Sequence, residues 1–245
     1  MSVDFEELDY RRTPLGELIL RRRRVLSLAG TEVFEVKLGD DFLMSSLFNE
    51  GEIALATLGL AGLGAAHLDV VVGGLGLGYT ASAALDFPGV RSVLVIEALP
   101  EVIHWHQRGL VPLGAKLTAD PRCRLINGDF FELAHPFGQG FDHEAPDRRF
   151  HAVLLDVDHT PRSLLHPRHG AFYEPAGLRG LANDLHPGGV FALGSNDPPD
   201  EAFLKTLATT FVTSKAHVVK FHNPLLNCEA ANTVYVARTA VDQGQ

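Results

Sequence analysis

The chain has 245 residues, 46% of them hydrophobic, with a formal net charge of -9. That length holds one large α/β domain with a small extension and leaves out two full domains. The acidic balance argues against a general nucleic-acid binder, no apolar span reaches the roughly 18 residues of a membrane helix, and MSVDFEELDYRR lacks the apolar core of a signal peptide, so a cytoplasmic protein is expected.

In chain order, Thr13 to Met44 reads as a small antiparallel meander. Leu15 to Leu28 and Glu32 to Leu38 are short runs with partial alternation, broken at Ala29-Gly30, and a Gly-Asp-Asp turn at Gly39 to Asp41 leads into Phe42-Leu43-Met44. Arg11, Arg12 and Arg21 to Arg24 form the one basic cluster. RNA or a phosphorylated substrate is one reading of it. The other is a neutralised surface or subunit interface on an edge protected against aggregation, which the absence of interleaved aromatics favours. Ser46 is expected to cap a helix from Leu47 to Leu60, with Glu50 and Glu52 near its positive end.

Leu68 to Glu97 is the stretch on which the rest hangs. LDVVV is an unbroken apolar run, as in a parallel strand covered on both faces. Gly73, Gly74, Gly76 and Gly78 form a turn that a ligand can approach closely, and Tyr79 to Leu85 reads as the following helix, which places the turn in the ligand crevice of an open α/β sheet. The next strand, Val93 to Ile96, ends in Glu97. This acid lies about 20 residues beyond the glycines, the spacing at which a carboxylate takes both hydroxyls of a ribose. A phosphate loop is excluded, because no Lys follows the glycines; NAD stays open at this point.

Beyond Glu97 the pattern continues with a helix Pro100 to Leu110, strands Arg124 to Asn127 and Phe150 to Asp156, a helix Pro175 to Leu185 ending at His186-Pro187-Gly188-Gly189, a strand Val190 to Leu193 and a helix Pro199 to Phe211. Lys215 to Phe221 and Thr233 to Arg238 close the chain as two strands joined by a long turn. The expected fold is α/β: a class I methyltransferase-like Rossmann fold with a seven-stranded, mostly parallel sheet and a small N-terminal β-meander. Residues 1–60 would hold the meander and connecting helix, and 61–245 the nucleoside-binding catalytic domain. Such an ending weakens the NAD reading, since a dinucleotide fold needs a second mononucleotide-binding half.

Chemistry in such a sheet gathers where strands end. Asp129, after the third strand, can accept the exocyclic amine of an adenine while Phe130 packs near the ring, or can cap a short helix from Phe131 to Ala134; both roles are compatible. The fourth strand runs into Asp156-Val157-Asp158-His159. If the strand geometry persists, Asp156 and Asp158 share a face, and a proton acceptor beside a reacting amine is what alkyl transfer requires. A metal on Asp156, Asp158 and His159 is disfavoured, because three adjacent residues rarely converge on one ion. His104 and His106, two apart on a helix, face different ways and read as surface or packing residues. Cys123 and Cys228 are in no CxxC spacing and are expected to be buried thiols.

The order GGLGLG, VIEALPEVI, NGDFFE, LLDVD, FYEPAGL and LHPGGVFAL resembles the spermidine synthase (polyamine aminopropyltransferase) family, from about Leu15 to Arg238. The resemblance implies a site for decarboxylated S-adenosylmethionine built from the glycine turn, Glu97 and Asp129, with Asp156 matching the catalytic acid, a small-molecule amine acceptor, no metal, and a homodimer formed through the N-terminal region. Three positions depart. The family's GGGDGG places an Asp where this chain has Gly76, which relaxes discrimination against intact S-adenosylmethionine. A Tyr and a Gln or His precede its Glu where Glu50 and Gly51 precede Glu52. The second carboxylate of its DSSD motif falls on His159, one residue past Asp158. Aminopropyl transfer is therefore the leading expectation, with Asp158, His159, Glu50 and Glu52 on the acceptor side. Methyl transfer from S-adenosylmethionine and a non-catalytic nucleoside-binding module stand as alternatives.

Overall fold

The computed structural model describes residues 4–64 and 67–241, so the outer ends of the two expected units lie outside the described residues. Strands β1 (Phe5–Thr13), β2 (Gly16–Val25), β3 (Thr31–Leu38) and β4 (Asp41–Ser45) form an antiparallel meander in that order. Its inward face is set by alternation: Leu18 and Leu20 on β2 and Val33 on β3 are fully buried. The expected meander omitted β1. FEELDYRRT is charged and lacks an apolar face; it pairs because Glu6 and Glu7 lie opposite Arg22 and Arg21.

That pairing also engages Arg21, Arg22 and Arg23 of the arginine cluster. Arg21 and Arg23, two apart on one face, each donate to the buried Glu35 at 2.7 Å, while Arg22 on the other face pairs with Glu6 and Glu32. These charges are satisfied within the sheet.

Helix α1 (Glu50–Leu60) follows, three residues later than expected. Ser46 does not cap it, because its hydroxyl accepts the Phe34 amide at 2.9 Å and ties the linker to β3. The second sheet then builds from β5 (Leu68–Gly73), β6 (Val90–Glu97), β7 (Cys123–Asn127), β8 (Phe150–Leu155), β9 (Leu185–Ser195), β10 (Thr213–Asn223) and β11 (Cys228–Arg238). Its order is β10-β11-β9-β8-β5-β6-β7, parallel from β9 to β7 and antiparallel at the β10-β11 edge. The expected seven-stranded, mostly parallel sheet is thus present.

Helices α2 (Tyr79–Asp86), α3 (Pro100–Gln107) and α4 (Gly114–Ala119) fall between β5 and β7; α5 (Phe130–Leu133), α6 (Gly170–Tyr173), α7 (Pro175–Asn183) and α8 (Glu201–Leu207) complete the chain. Side chains of the central strand alternate between two cores. Val70 and Val72 pack with Leu55, Ala81 and Trp105, whereas Val71 faces Phe130, Phe172 and Tyr235. The meander is fastened to α3 by the Trp105 indole, which donates to Asp9 of β1 at 2.7 Å.

Some boundaries differ from the sequence pattern for identifiable reasons. His186-Pro187-Gly188-Gly189 does not end a helix; it lies within β9, whose register slips between Phe150 and Ala152 of β8 to admit the proline and glycines. The expected long turn before the last strand is short, because Asn223 pairs with Cys228 and its side chain accepts the Leu225 and Leu226 amides. Cys123 is half-buried and Cys228 exposed, so the expectation of two buried thiols is corrected: both stand near the sheet's margins. No helix among the described residues is long and apolar enough to cross a membrane.

Candidate active site

The strand order reverses beside β5, with β6 on one flank and β8 on the other, and a cleft of about 600 Å³ opens at the carboxyl ends of these strands. Gly73 closes β5, and its carbonyl accepts the Asp156 amide at 2.8 Å, so the turn and the end of β8 are tied together. Gly74 has φ +92°, and a Cβ there would stand 2.3 Å from the Asp156 carbonyl oxygen, so only glycine fits. The space beyond the Gly76 Cα is filled by the Met44 thioether, reaching over from β4. Gly78 is the N-cap of α2, packed against Leu117 and His106.

His106 is a functional candidate that helical spacing hid. Its ring is fully buried and its Nε2 lies 2.8 Å from the Gly76 carbonyl, so it donates to the glycine turn and holds it from behind. Burial lowers its pKa, which the Gly76 bond partly opposes; the ring is therefore neutral with Nδ1 unprotonated. Nδ1 has no partner.

Glu97, at the end of β6, accepts the Leu75 amide at 3.0 Å and the Leu99 amide at 2.9 Å. Burial raises its pKa, and these amides work against that rise. The Gly76 and Ala98 amides also bear on this carboxylate, which lines the cleft. Asp129 caps α5 through the Phe131 and Glu132 amides, and its Oδ2 lies 4.0 Å from Arg168. Both readings of Asp129 remain compatible, since the cap uses Oδ1 and the residue lines the cleft. Phe130 lies in the core beneath Gly73, with one edge on the cleft.

Asp156 stands just past β8, where its Oδ2 accepts from the Thr80 hydroxyl at 3.3 Å. Burial raises its pKa, partly offset by that hydrogen bond. Glu52, in the first turn of α1, faces the same part of the cleft; burial, then the charge of Asp156, pushes its pKa up to about 8. The two form a carboxyl pair that resists holding two negative charges.

The other acceptor candidates separate. Asp158 does not share the Asp156 face as a free carboxylate. Its Oδ1 accepts the Leu165 amide at 2.7 Å and lies 2.8 Å from His169 Nδ1, and its Oδ2 accepts from Tyr173 at 2.9 Å. The strand has ended by Leu155, which frees the chain to turn this carboxylate inward and anchor the loop ahead of α6. His159 lines the cleft, and its carbonyl accepts the Asn196 amide. Glu50 is not on the cleft; its Oε2 turns back to the Asn49 amide at 3.1 Å. Beside Gly51 stands Asn232 of β11, and Phe221 of β10 faces Phe48 with ring centroids 6.1 Å apart. The sequence pattern did not single out these hairpin residues, because they reach the cleft only through the antiparallel edge.

The raised pair makes stability pH-dependent. Glu52 titrates near an ordinary 4.5 when unfolded and about 8 when folded, so between those values the folded chain retains a proton that the unfolded chain has lost. Its contribution is therefore fully present below pH 4.5 and is lost as pH rises toward 8. Glu52→Gln is expected to raise Tm by a few degrees at pH 8 and to leave it unchanged at pH 4.5. Thermal unfolding followed by circular dichroism at both pH values checks this; an equal offset at the two would refute it.

No protein-family model matches the chain. Among solved structures it is similar to a spermidine synthase from Thermotoga maritima, with TM-score 0.72 at 14% identity over 96% of this chain and 74% of that one. It is also similar to a spermidine synthase in complex with the transition state analogue AdoDATO, with TM-score 0.71 at 13% identity over the same shares. At these identities the likeness establishes a shared fold: the meander followed by the seven-stranded sheet.

Proposed function

We propose that the chain is a transferase that moves an aminopropyl group from the sulfonium of decarboxylated S-adenosylmethionine to a small amine. The observation that carries this reading is the Glu52–Asp156 carboxyl pair opening on the same cleft as Glu97 and Asp129. Glu97, on the cleft lining, takes a ribose, and Asp129 Oδ2 offers an acceptor to an adenine amine, with Phe130 beneath. Asp156 takes the proton from the attacking ammonium. The nitrogen lone pair then forms the new N–C bond, the C–S bond breaks with its electrons going to sulfur, and a neutral thioether nucleoside leaves. The fold shared with a spermidine synthase held with AdoDATO supports an adenosyl donor here.

Methyl transfer from intact S-adenosylmethionine is the second reading, and the Gly76–Met44 contact favours it. A thioether, not a charged side chain, occupies that wall of the cleft, so nothing at this point repels a donor that keeps its carboxylate.

Incubation with each donor and a panel of amines distinguishes the two by the nucleoside released. Methylthioadenosine from the decarboxylated donor is the expected product, and S-adenosylhomocysteine would replace this reading with methyl transfer. Binding of either donor without turnover would leave the chain a nucleoside-binding module.

A further inference from the structure

The cleft leaves one carboxyl pair to meet the ammonium of an acceptor. Among the described residues, the carboxylates lining it are Glu52, Glu97, Asp129, Asp156 and Asp158. Asp158 is consumed by three donors. Glu97 and Asp129 stand by the glycine turn and α5, bound to backbone amides and, for Asp129, facing Arg168. That leaves Glu52 and Asp156, which line the same cleft and whose charges oppose one another.

Glu50 also acts on Glu52 by its charge, but it turns back to the Asn49 amide off the cleft, and among the described residues the cleft wall beside the pair carries no further carboxylate. Gly51, next to Glu52, abuts Asn232; Ala230 lies two residues along the same strand and pairs across to Phe221; Phe221 in turn faces Phe48. The wall leading away from the carboxyl pair is thus two aromatic rings, a methyl group and a neutral amide. At the mouth, Leu15 and Phe42 line the cleft while remaining 48% and 45% exposed, apolar surface that a ligand's body would cover.

We propose that the acceptor is an amine with one cationic end and an apolar body, an alkyl or arylalkyl monoamine, whose ammonium lies at Glu52 and Asp156 and whose body lies along Phe48 and Phe221. This rests on the transfer reading above and narrows its acceptor. A diamine would place its second ammonium against the aromatic wall, where no carboxylate meets it and its water is stripped.

The test is a calorimetric titration of the full chain with 2-phenylethylamine and with 1,4-diaminobutane, each with and without 5'-methylthioadenosine. Phenylethylamine is expected to bind about tenfold tighter than the diamine, and Phe221→Ala to bring the two within about threefold. Equal or tighter binding of the diamine overturns the proposal, as does binding of neither amine under either condition. Donor turnover is read separately through the nucleoside product. Its failure would remove the transfer reading and leave the amine ranking standing, while a diamine preference alongside aminopropyl turnover would remove the ranking alone.

Discussion

Asp156→Asn is expected to lower turnover by about 10²- to 10⁴-fold, the range for losing a positioned general base. Donor binding should stay within about twofold, because asparagine preserves the backbone bond from residue 156 to the Gly73 carbonyl that holds the glycine turn. Asparagine keeps the size and can still accept from Thr80, which stands 3.3 Å from the native carboxylate, so the geometry survives while the proton acceptor does not. Two features of the parent site make the loss specific. Burial raises the Asp156 pKa, and the charge of Asp156 in turn raises that of Glu52. The parent's rate should therefore rise with pH as the pair loses its proton, with the variant showing a flat residual rate. Steady-state kinetics with calorimetric donor binding checks both; a variant keeping more than about a tenth of parental kcat would remove Asp156 from the base role.

Gly74→Ala should be the most damaging single methyl in the site. The residue sits at φ +92°, which costs a side chain about 1–3 kcal/mol, and the new Cβ would press to 2.3 Å against the Asp156 carbonyl oxygen. Backbone cannot yield as a flexible side chain does, so overpacking adds roughly another 1–3 kcal/mol. Relief requires parting the turn from the end of β8, which breaks the bond from the Asp156 amide to the Gly73 carbonyl. The expected result is a Tm lower by roughly 5–15 °C, with nucleoside affinity and turnover both lost. Differential scanning calorimetry and nucleoside titration read the two effects. A variant with parental Tm would show that the contact between turn and strand relaxes freely.

The glycine turn and the acids at the strand ends were legible because their signals are local. Gly73, Gly74 and Gly76 lie within four residues, Glu97 follows at the end of the next strand, and Asp129 at the end of the one after. Parallel strands in a βα alternation all end on the same side, so reading where each ends locates its acid without coordinates. His106 escaped because its purpose is a bond to the Gly76 carbonyl, 30 residues away, which its own helix does not announce. Strand β1 escaped because its reason to pair is charge on β2, not an apolar face of its own.

What the sequence determined by itself is the mostly parallel sheet, the turn at its switch point and the order of acids along it, since apolar runs, glycines and strand ends depend on neighbours in the chain. Tertiary structure alone decided which of those acids remain free. Asp156 and Asp158 are two residues apart and look equivalent in the sequence, yet one opens on the cleft with Glu52 and the other is bound by His169 and Tyr173. The physical reason is that a carboxylate's availability depends on the donors that fold around it. For this pair those donors come from α2, α6 and the loop before it, segments that only packing brings to the end of β8.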